Sequence, residues 1–522
     1  MKLHDFLDYR AREQGEAEFA IHGDRRISYR AALAEVHRLA NALIGCGLQP
    51  GDRMAILSKN SIEYMLLYFA ASKAGLVTIP LNYRLAPTEW SYILNDAGAK
   101  VLFAAGGYPR DVETIHRELQ TIQQFIAVDE QDIHGWETYQ SFIADQPDTP
   151  PSRIVAAEDD LFQLYTSGTT GHPKGAVLTH QAVTTHILQM GLAHNIQPGE
   201  RLLLVAPVFH VAALNAGAFP CLAAGGCLYI QTEFKPDEVV RALSEEHLGM
   251  AILVPAMIQA CLTAVPDVAQ RRYDELRLIH YGASPIAEAT LRRALETFKC
   301  EFSQGYGMTE MSAAIAILSW ADHQRALRQK PELLVAAGRP ILGTQVRVVD
   351  IDDNDVPRGT VGEVLAYGPQ MMKGYWKQPE ATEEALRGGW MHTGDAGVLD
   401  EEGYLYIQDR VKDMVVSGGE NIYPRVVEEV LFKHPAVAEV AVIGVPDEQW
   451  GETIKAVVVL RSGMTATTEE IIDFCRGKLG GFERPRSVDF VDSLPRTPSG
   501  KVLKRVLREP YWVGQSRRVA GA

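Results

Sequence analysis

From residue 26 onward the apolar positions follow two rhythms. Segments with helical spacing of Ala, Leu and Val alternate with short, continuous apolar runs. A helix is expected from Tyr29 to Leu48, ending at Gly47, and then a strand at Met54–Leu57. A helix over Ser61–Ala74, a strand over Val77–Leu81, a helix over Trp90–Gly98 and a strand over Lys100–Ala104 repeat the unit. The cycle resumes with a helix at Gln181–Asn195, a strand at Leu202–Ala206, and a helix at Pro236–His247 that opens on proline. Strands at Met250–Val254 and Leu276–Tyr281 follow. Such alternation predicts a mostly parallel sheet covered on both faces.

The texture changes after Gly343. Val346–Asp350 and Gly362–Ala366 read as strands joined by turn-rich segments, which predicts a smaller β subdomain. The charged run Asp409-Arg410-Val411-Lys412-Asp413 then interrupts the apolar pattern, and about 110 residues remain, enough for a small domain. Within them, Pro424–Lys433 reads as a helix, and Val437–Val445 and Thr453–Leu460 as strands. Thr467-Thr468-Glu469-Glu470 is a capping box for a helix running to Leu479. The expected fold is α/β: a large N-terminal domain of layered α/β subdomains plus a β subdomain over 1–411, and a small α+β domain over 412–522.

Val211–Ile230 carries no charge over about 20 residues, the length of a membrane span. It is built from Ala and Gly and interrupted by Asn215 and Pro220, so a buried helix plus strand, walling an apolar pocket, is the better reading. The length of 522 residues calls for two or three domains, and 46% apolar with 22% charged residues is ordinary for a soluble enzyme. With 51 Lys and Arg against 66 Asp and Glu, the net charge of −15 argues against nucleic acid as a partner. An anionic ligand must then be met by a local positive site. The six cysteines are scattered without a C-x-x-C pair, which fits free thiols in a reducing compartment. Met1–Phe6 lacks the apolar core of a signal peptide, so a cytoplasmic location is expected. Contact with a bilayer surface is left open, and the pattern encodes no oligomeric state.

The candidate chemistry starts at Thr166-Ser167-Gly168-Thr169-Thr170-Gly171, with Lys174 three residues on. Strand-like runs Leu161–Tyr165 and Gly175–Thr179 flank it. By composition it is either a solvated turn or a cradle for a polyphosphate. It is not a Walker A loop, because Pro173 precedes the lysine and a strand rather than a helix follows. The run resembles the phosphate-binding signature of the adenylate-forming superfamily, which includes acyl-CoA synthetases, luciferases and peptide-synthetase adenylation domains. Further signatures continue that resemblance, in the family's order, over nearly the whole chain.

The resemblance implies the following roles. Gly282-Ala283-Ser284-Pro285 would lie against adenine and the acyl carboxylate. In Gln304-Gly305-Tyr306-Gly307-Met308-Thr309-Glu310, Tyr306 would stack on adenine, Thr309 contact phosphate and Glu310 ligate Mg²⁺, with Thr166 as a second metal ligand. Within Trp390–Asp395, Asp395 would bind the ribose hydroxyls, joined by Arg410. Lys412 would be the hinge of a mobile C-terminal domain. Ser417, Gly418 and Gly419 would face the pantetheine channel of coenzyme A. In Pro495–Lys501, Lys501 matches the catalytic lysine; a cation there acts on the charge gathering at the α-phosphate in the transition state. Its neighbours Lys504, Arg505 and Arg508 read as a basic helix.

Relatives that activate amino acids carry an aspartate where this chain has Pro207–Leu214, which holds no acid. An amino-acid substrate is therefore disfavoured. By resemblance His210 sits at the pocket mouth, and the small residues after it leave room for an alkyl chain. The chain is most similar to bacterial fatty acyl-CoA synthetases. That implies ATP, Mg²⁺ and coenzyme A as cofactors, and a medium- or long-chain fatty acid as substrate, with aryl acids next. Two other readings stand: an acyl-AMP ligase loading a separate carrier protein, and a non-catalytic nucleotide-binding protein. The joint presence of Lys501, Glu310 and Asp395 argues against the last.

Overall fold

A computed structural model describes the chain except for residues 130–132, 167–172, 285, 411–412, 418–419, 448, 497–501 and 514–522. Two compact units divide it: Met1–Val346 with Ala366–Met391, and Arg347–Leu365 with His392–Ala522.

Among the described residues of the first unit, the alternating pattern builds two sheets. One runs Arg339–Pro340, Ala313–Leu318, Glu301–Met308, Leu278–Gly282, Met250–Leu253, Arg201–Leu204, Cys227–Ile230, Glu18–His22, Arg25–Ser28. The other runs Gly374–Tyr375, Lys174–Thr179, Asp160–Thr166, Val77–Pro80, Arg53–Leu57, Ala99–Ala104, Gln124–Ala127, Glu137–Thr138. The first has a parallel centre and antiparallel strands at both ends, whereas the second is antiparallel only at the end that carries Gly374–Tyr375, Lys174–Thr179 and Asp160–Thr166. The helix Ile62–Ala74 shows why the sheets share one core. It is apolar on every side and buried almost throughout, as a helix with no wet face must be. Phe69 meets Phe219 at 5.5 Å, and Tyr68 meets Phe162 at 5.3 Å. Each such fully buried ring contributes about 1.5–3 kcal/mol of transfer free energy. Ser61 caps the helix by accepting from the Tyr64 amide, and Gly75 closes it at φ 68°.

The N-terminal segment, which the periodicity did not resolve, forms the helix Leu3–Gln14 and the hairpin Glu18–His22/Arg25–Ser28. Lys73, on the buried helix, is 6% exposed and reaches Asp8 of that first helix at 2.6 Å. Val211–Ile230 is the buried helix plus strand that composition suggested: Val211–Ala213, a π turn at Leu214–Ala218, Phe219–Ala224, then Cys227–Ile230. No helix among the described residues is long and apolar enough to cross a membrane.

The second unit carries most of a four-stranded sheet, Gln345–Val349, Gly362–Tyr367, Met391–Leu399, Leu405–Arg410. A further sheet is built on the long hairpin Val437–Asp447/Gly451–Leu460, with helices Pro424–Leu431 and Thr468–Phe474. The capping box forms as expected: Glu470 N donates to Thr467 Oγ1, and Thr467 N to Glu470 Oε2. Its helix stops at Phe474 rather than Leu479, because the chain turns at Gly477 with φ 73°.

Candidate active site

The glycine- and hydroxyl-rich run joins two antiparallel strands, Asp160–Thr166 and Lys174–Thr179, with Thr166 opposite Lys174. Ser167, Gly168, Thr169, Thr170 and Gly171 lie outside the described residues, as do Lys412, Gly418, Gly419 and Lys501. The loop's stem is tied down. Tyr165 donates to Asp96 Oδ2 at 2.5 Å, and Gln163 Nε2 donates to the Tyr165 hydroxyl at 2.9 Å. Burial and the neighbouring Asp96 push the Tyr165 phenol far above its ordinary pKa, so it stays a donor. Gly175 must lack a side chain here, since a Cβ would lie 2.9 Å from Gln163 Nε2.

Lys174 opens the second strand. Its ammonium sits 5.3 Å from the centroid of the Tyr375 ring, within cation–π range, and it has no carboxylate partner among the described residues. Among the described residues Thr166 Oγ1 reaches Lys174 O alone, at 3.5 Å, a marginal contact.

Glu310 lies in the turn Thr309–Met311, which packs against the strand Lys174–Thr179. Its side chain is buried, yet among the described residues its carboxylate has one donor, the Tyr375 hydroxyl at 2.8 Å to Oε1. Buried carboxylates are ordinarily paired with a cation or a metal. A buried acid held, among the described residues, by a single neutral donor fits a ligand for a hard cation such as Mg²⁺. The Tyr375 phenol is raised well above its ordinary pKa by burial and by Glu310 beside it, so it remains protonated and donates.

Backbone proximity explains the glycines around this acid. Gln304, Gly305, Tyr306, Gly307 and Met308 run along the strand Glu301–Met308, antiparallel to Ala313–Leu318 with a bulge at Tyr306/Gly307. A Cβ on Gly307 would stand 1.7 Å from Ala313 O, and one on Gly282 would stand 2.4 Å from Gly305 O. Gly282 ends its strand; Ala283 follows at φ 65° and leads to exposed Ser284. Beyond Thr309 and Glu310 the chain reverses through two strained residues, Ser312 at φ 58° and Ala313 at φ 142°. Buried polar groups clamp that reversal: Ser312 Oγ donates to Gln370 O at 2.7 Å, and Asn215 Nδ2 to Ser312 O at 2.9 Å. Asn215 is fully buried, and its Oδ1 has no partner among the described residues. His210 precedes Val211–Ala213, half-buried, its ring 4.3 Å from that of Phe209.

In the second unit, Asp395 and Arg410 are opposite each other on antiparallel strands, and Arg410 Nε meets Asp395 Oδ1 at 2.8 Å. The two expected ribose-binding residues are thus brought together as an ion pair. Ser417 lies in the hairpin Val415–Ser417/Glu420–Ile422. The basic helix forms at Lys504–Arg508, and in it Lys504 is enclosed between Glu428 Oε1 at 2.9 Å and Asp409 Oδ2 at 3.5 Å, while Arg508 reaches Asp413 at 3.6 Å.

Sequence reasoning missed Tyr375, Asn215, Gln370 and Lys504. Each makes its contact over a long sequence separation, which no local pattern carries.

The family described as AMP-binding enzyme matches residues 7–376, and the AMP-binding enzyme C-terminal domain matches residues 426–501. The chain is 38% identical to a feruloyl-CoA synthase of an Amycolatopsis species, over 96% of this chain and 97% of that one. It is also 38% identical to a fatty acid–[acyl-carrier-protein] ligase of Streptomyces coeruleorubidus, over 95% and 93%. Among solved structures, a Mycobacterium tuberculosis fatty acyl CoA synthetase aligns over 99% of both chains, with TM-score 0.78 and 34% identity.

Proposed function

This chain belongs to the AMP-binding enzyme family and is an AMP-forming acid–CoA ligase, and from that premise we propose that its acid is a medium- or long-chain fatty acid, activated in the cytoplasm. In the first step the carboxylate attacks the α-phosphorus of ATP, giving acyl-AMP and releasing pyrophosphate. In the second, the thiol of coenzyme A attacks the acyl carbon, giving the thioester and AMP.

The observation that carries this reading is the pairing of Lys174 with buried Glu310 around Tyr375, at the exit of the glycine- and hydroxyl-rich run. Glu310 would hold Mg²⁺, which supplies charge neutralisation on the phosphates when bound. Lys174 and Thr309 would contact the phosphates. Gly282, Ala283, Ser284 and Gln304–Met308 would form the adenine and acyl-carboxylate wall, where glycine lets ligand and backbone approach closely. Asp395 would accept hydrogen bonds from the ribose, aimed by Arg410. Lys501 would supply the transition-state cation of the first step only, and the part of the chain after Lys412 would then turn to present Ser417 and its loop for the second.

The small, apolar run around Ala212–Ala218 supports an alkyl chain. A second reading, an aryl acid carrying a hydroxyl, is favoured by the unmet Asn215 Oδ1 within that run and by likeness to a feruloyl-CoA synthase. A panel of straight-chain acids from acetate to eicosanoate, with hydroxycinnamates and benzoates, scored by AMP release with CoA present, separates them. The fatty-acid reading expects a maximum at medium or long chains; preference for a hydroxyaryl acid would replace it. Likeness to a carrier-protein ligase makes the acceptor a second axis, read as thioester yield with CoA against a phosphopantetheinyl carrier.

A further inference from the structure

The segment 372–376 touches both Glu310 and the strand that begins at Lys174, and belongs to none of the sequence signatures. Met372 N donates to Glu310 O at 2.7 Å, Lys373 N to Val177 O at 2.8 Å, and Trp376 N to Gly175 O at 2.8 Å. Gly374 and Tyr375 pair with Val177 and Ala176, so the segment forms the edge of the sheet beside the strand that begins at Lys174. It is anchored on its far side as well. Arg53 stacks on the Trp376 ring at 3.6 Å, Trp376 Nε1 donates to Asp96 O, and Tyr375 N donates to Thr382 Oγ1. The same Asp96 receives the Tyr165 hydroxyl at the stem of the loop.

Tyr375 is the side chain through which this scaffold reaches the charges. Its hydroxyl donates to the Glu310 carboxylate and its ring face carries the Lys174 ammonium. We propose that Tyr375 is a positioning residue that fixes the separation and orientation of Lys174 and Glu310, the two charged groups that meet the triphosphate and its metal. This rests on the function proposed above. The hydroxyl occupies Oε1, and among the described residues Oε2 has no donor, which would leave it to hold the metal. The ring holds Lys174 near Glu310 without neutralising either, since an aromatic face attracts an ammonium without adding a formal charge. An ion pair between Lys174 and Glu310 would consume both charges before the nucleotide arrived; an aromatic spacer keeps both available.

Two substitutions separate the two functions. Tyr375→Phe keeps the ring and deletes the hydroxyl; Tyr375→Leu deletes both. Calorimetric binding of ATP to the full-length chain, with Mg²⁺ and with EDTA, reads them apart from turnover. For Y375F, affinity for MgATP and the Mg²⁺ midpoint should each worsen by about tenfold, the usual scale for a group supporting a metal ligand. ATP affinity in EDTA and the KM for the acid should stay unchanged. Y375L should weaken ATP binding in EDTA as well, through Lys174. In an E310Q background the Mg²⁺-dependent effect of Y375F should vanish, which a merely structural role would not produce. Equal losses with Mg²⁺ and EDTA, or an effect of Y375F that persists undiminished in E310Q, would overturn the positioning role. Wild-type protein that binds MgATP while Y375F binds it equally well overturns this inference alone. Wild-type protein that binds no MgATP overturns the proposed function with it.

Discussion

Replacing Lys504 by methionine should be among the most damaging single changes in the second unit. The ammonium is 15% exposed and the carboxylates it joins are 14% (Glu428) and 6% (Asp409) exposed. Burial opposes its charge, but Glu428 and Asp409 outweigh that and hold its pKa above the ordinary lysine value. Methionine fills similar volume, so packing is nearly conserved and the loss is electrostatic. Asp409 would keep the amides of Arg410 and Arg425, and Glu428 would keep the amide of Val442. Two largely enclosed carboxylates would nevertheless lose the one cation that, among the described residues, they share. Removing one partner of a buried ion pair costs about 3–5 kcal/mol. For a unit of this size that corresponds to a fall of roughly 10 °C in the melting temperature. The assay is differential scanning calorimetry of the full-length chain, resolving the transitions separately, since a chain of this size need not unfold in one step. The double variant Lys504→Met/Glu428→Leu should recover part of the loss, because replacing paired charges by apolar groups is nearly neutral where removing one is not. A shift below about 2 °C for the single variant, small beside that expectation, would refute the reasoning.

Three further outcomes follow from other parts of the chain. Gly307→Ala places a Cβ 1.7 Å from Ala313 O, backbone that cannot rotate away, so it should open the hairpin beside Glu310 and cost about 1–3 kcal/mol together with MgATP binding; unaltered binding isotherms would contradict it. Burial lowers His4 to about 3, aided by nearby Lys73, and lowers His180, His186, His280 and His323 to about 4. Folded pKa values depressed below 6.5 mean that this stability is whole above pH 6.5. It is lost as pH falls toward 4, by about 1.4 kcal/mol per pH unit for each histidine, because the unfolded chain takes up the protons first. Urea midpoints at pH 7.5 and 5.5 check this, and equal midpoints would contradict it. Lys501→Ala should abolish acyl-AMP formation while thioester formation from supplied acyl-AMP stays largely intact; equal loss of both half-reactions would sink that division of labour.

The layered α/β body was legible because parallel strands buried on both faces read as apolar runs, and the helices between them carry capping and proline signals within a few residues. The Val211–Ile230 segment reads as interior from its small residues and its Asn215 and Pro220 interruptions, but its π turn does not; there Ile252, distant in sequence, fills the space a Gly217 side chain would need. The hairpin Glu18–His22/Arg25–Ser28 was missed because such short strands with mixed polarity leave no clear period. The signatures single out Glu310 and Asp395, yet the side chains that contact them differ in visibility. Arg410 stands out by its resemblance to the family's arginine, whereas Tyr375 belongs to a two-residue strand whose contacts exist only once the sheet edge has formed. Lys504 shows the same limit: a cation four residues before another reads only as part of a basic helix until Glu428 and Asp409 close over it.

The most direct test of the central claim, activation of a carboxylate as its adenylate, is to supply an accepted acid labelled with heavy oxygen in its carboxylate, together with MgATP and CoA, and to analyse the products by mass spectrometry. Attack of the carboxylate on the α-phosphorus leaves one labelled oxygen in AMP for each thioester formed, and none in pyrophosphate. Unlabelled AMP, or label appearing in inorganic phosphate alongside ADP, would contradict the account.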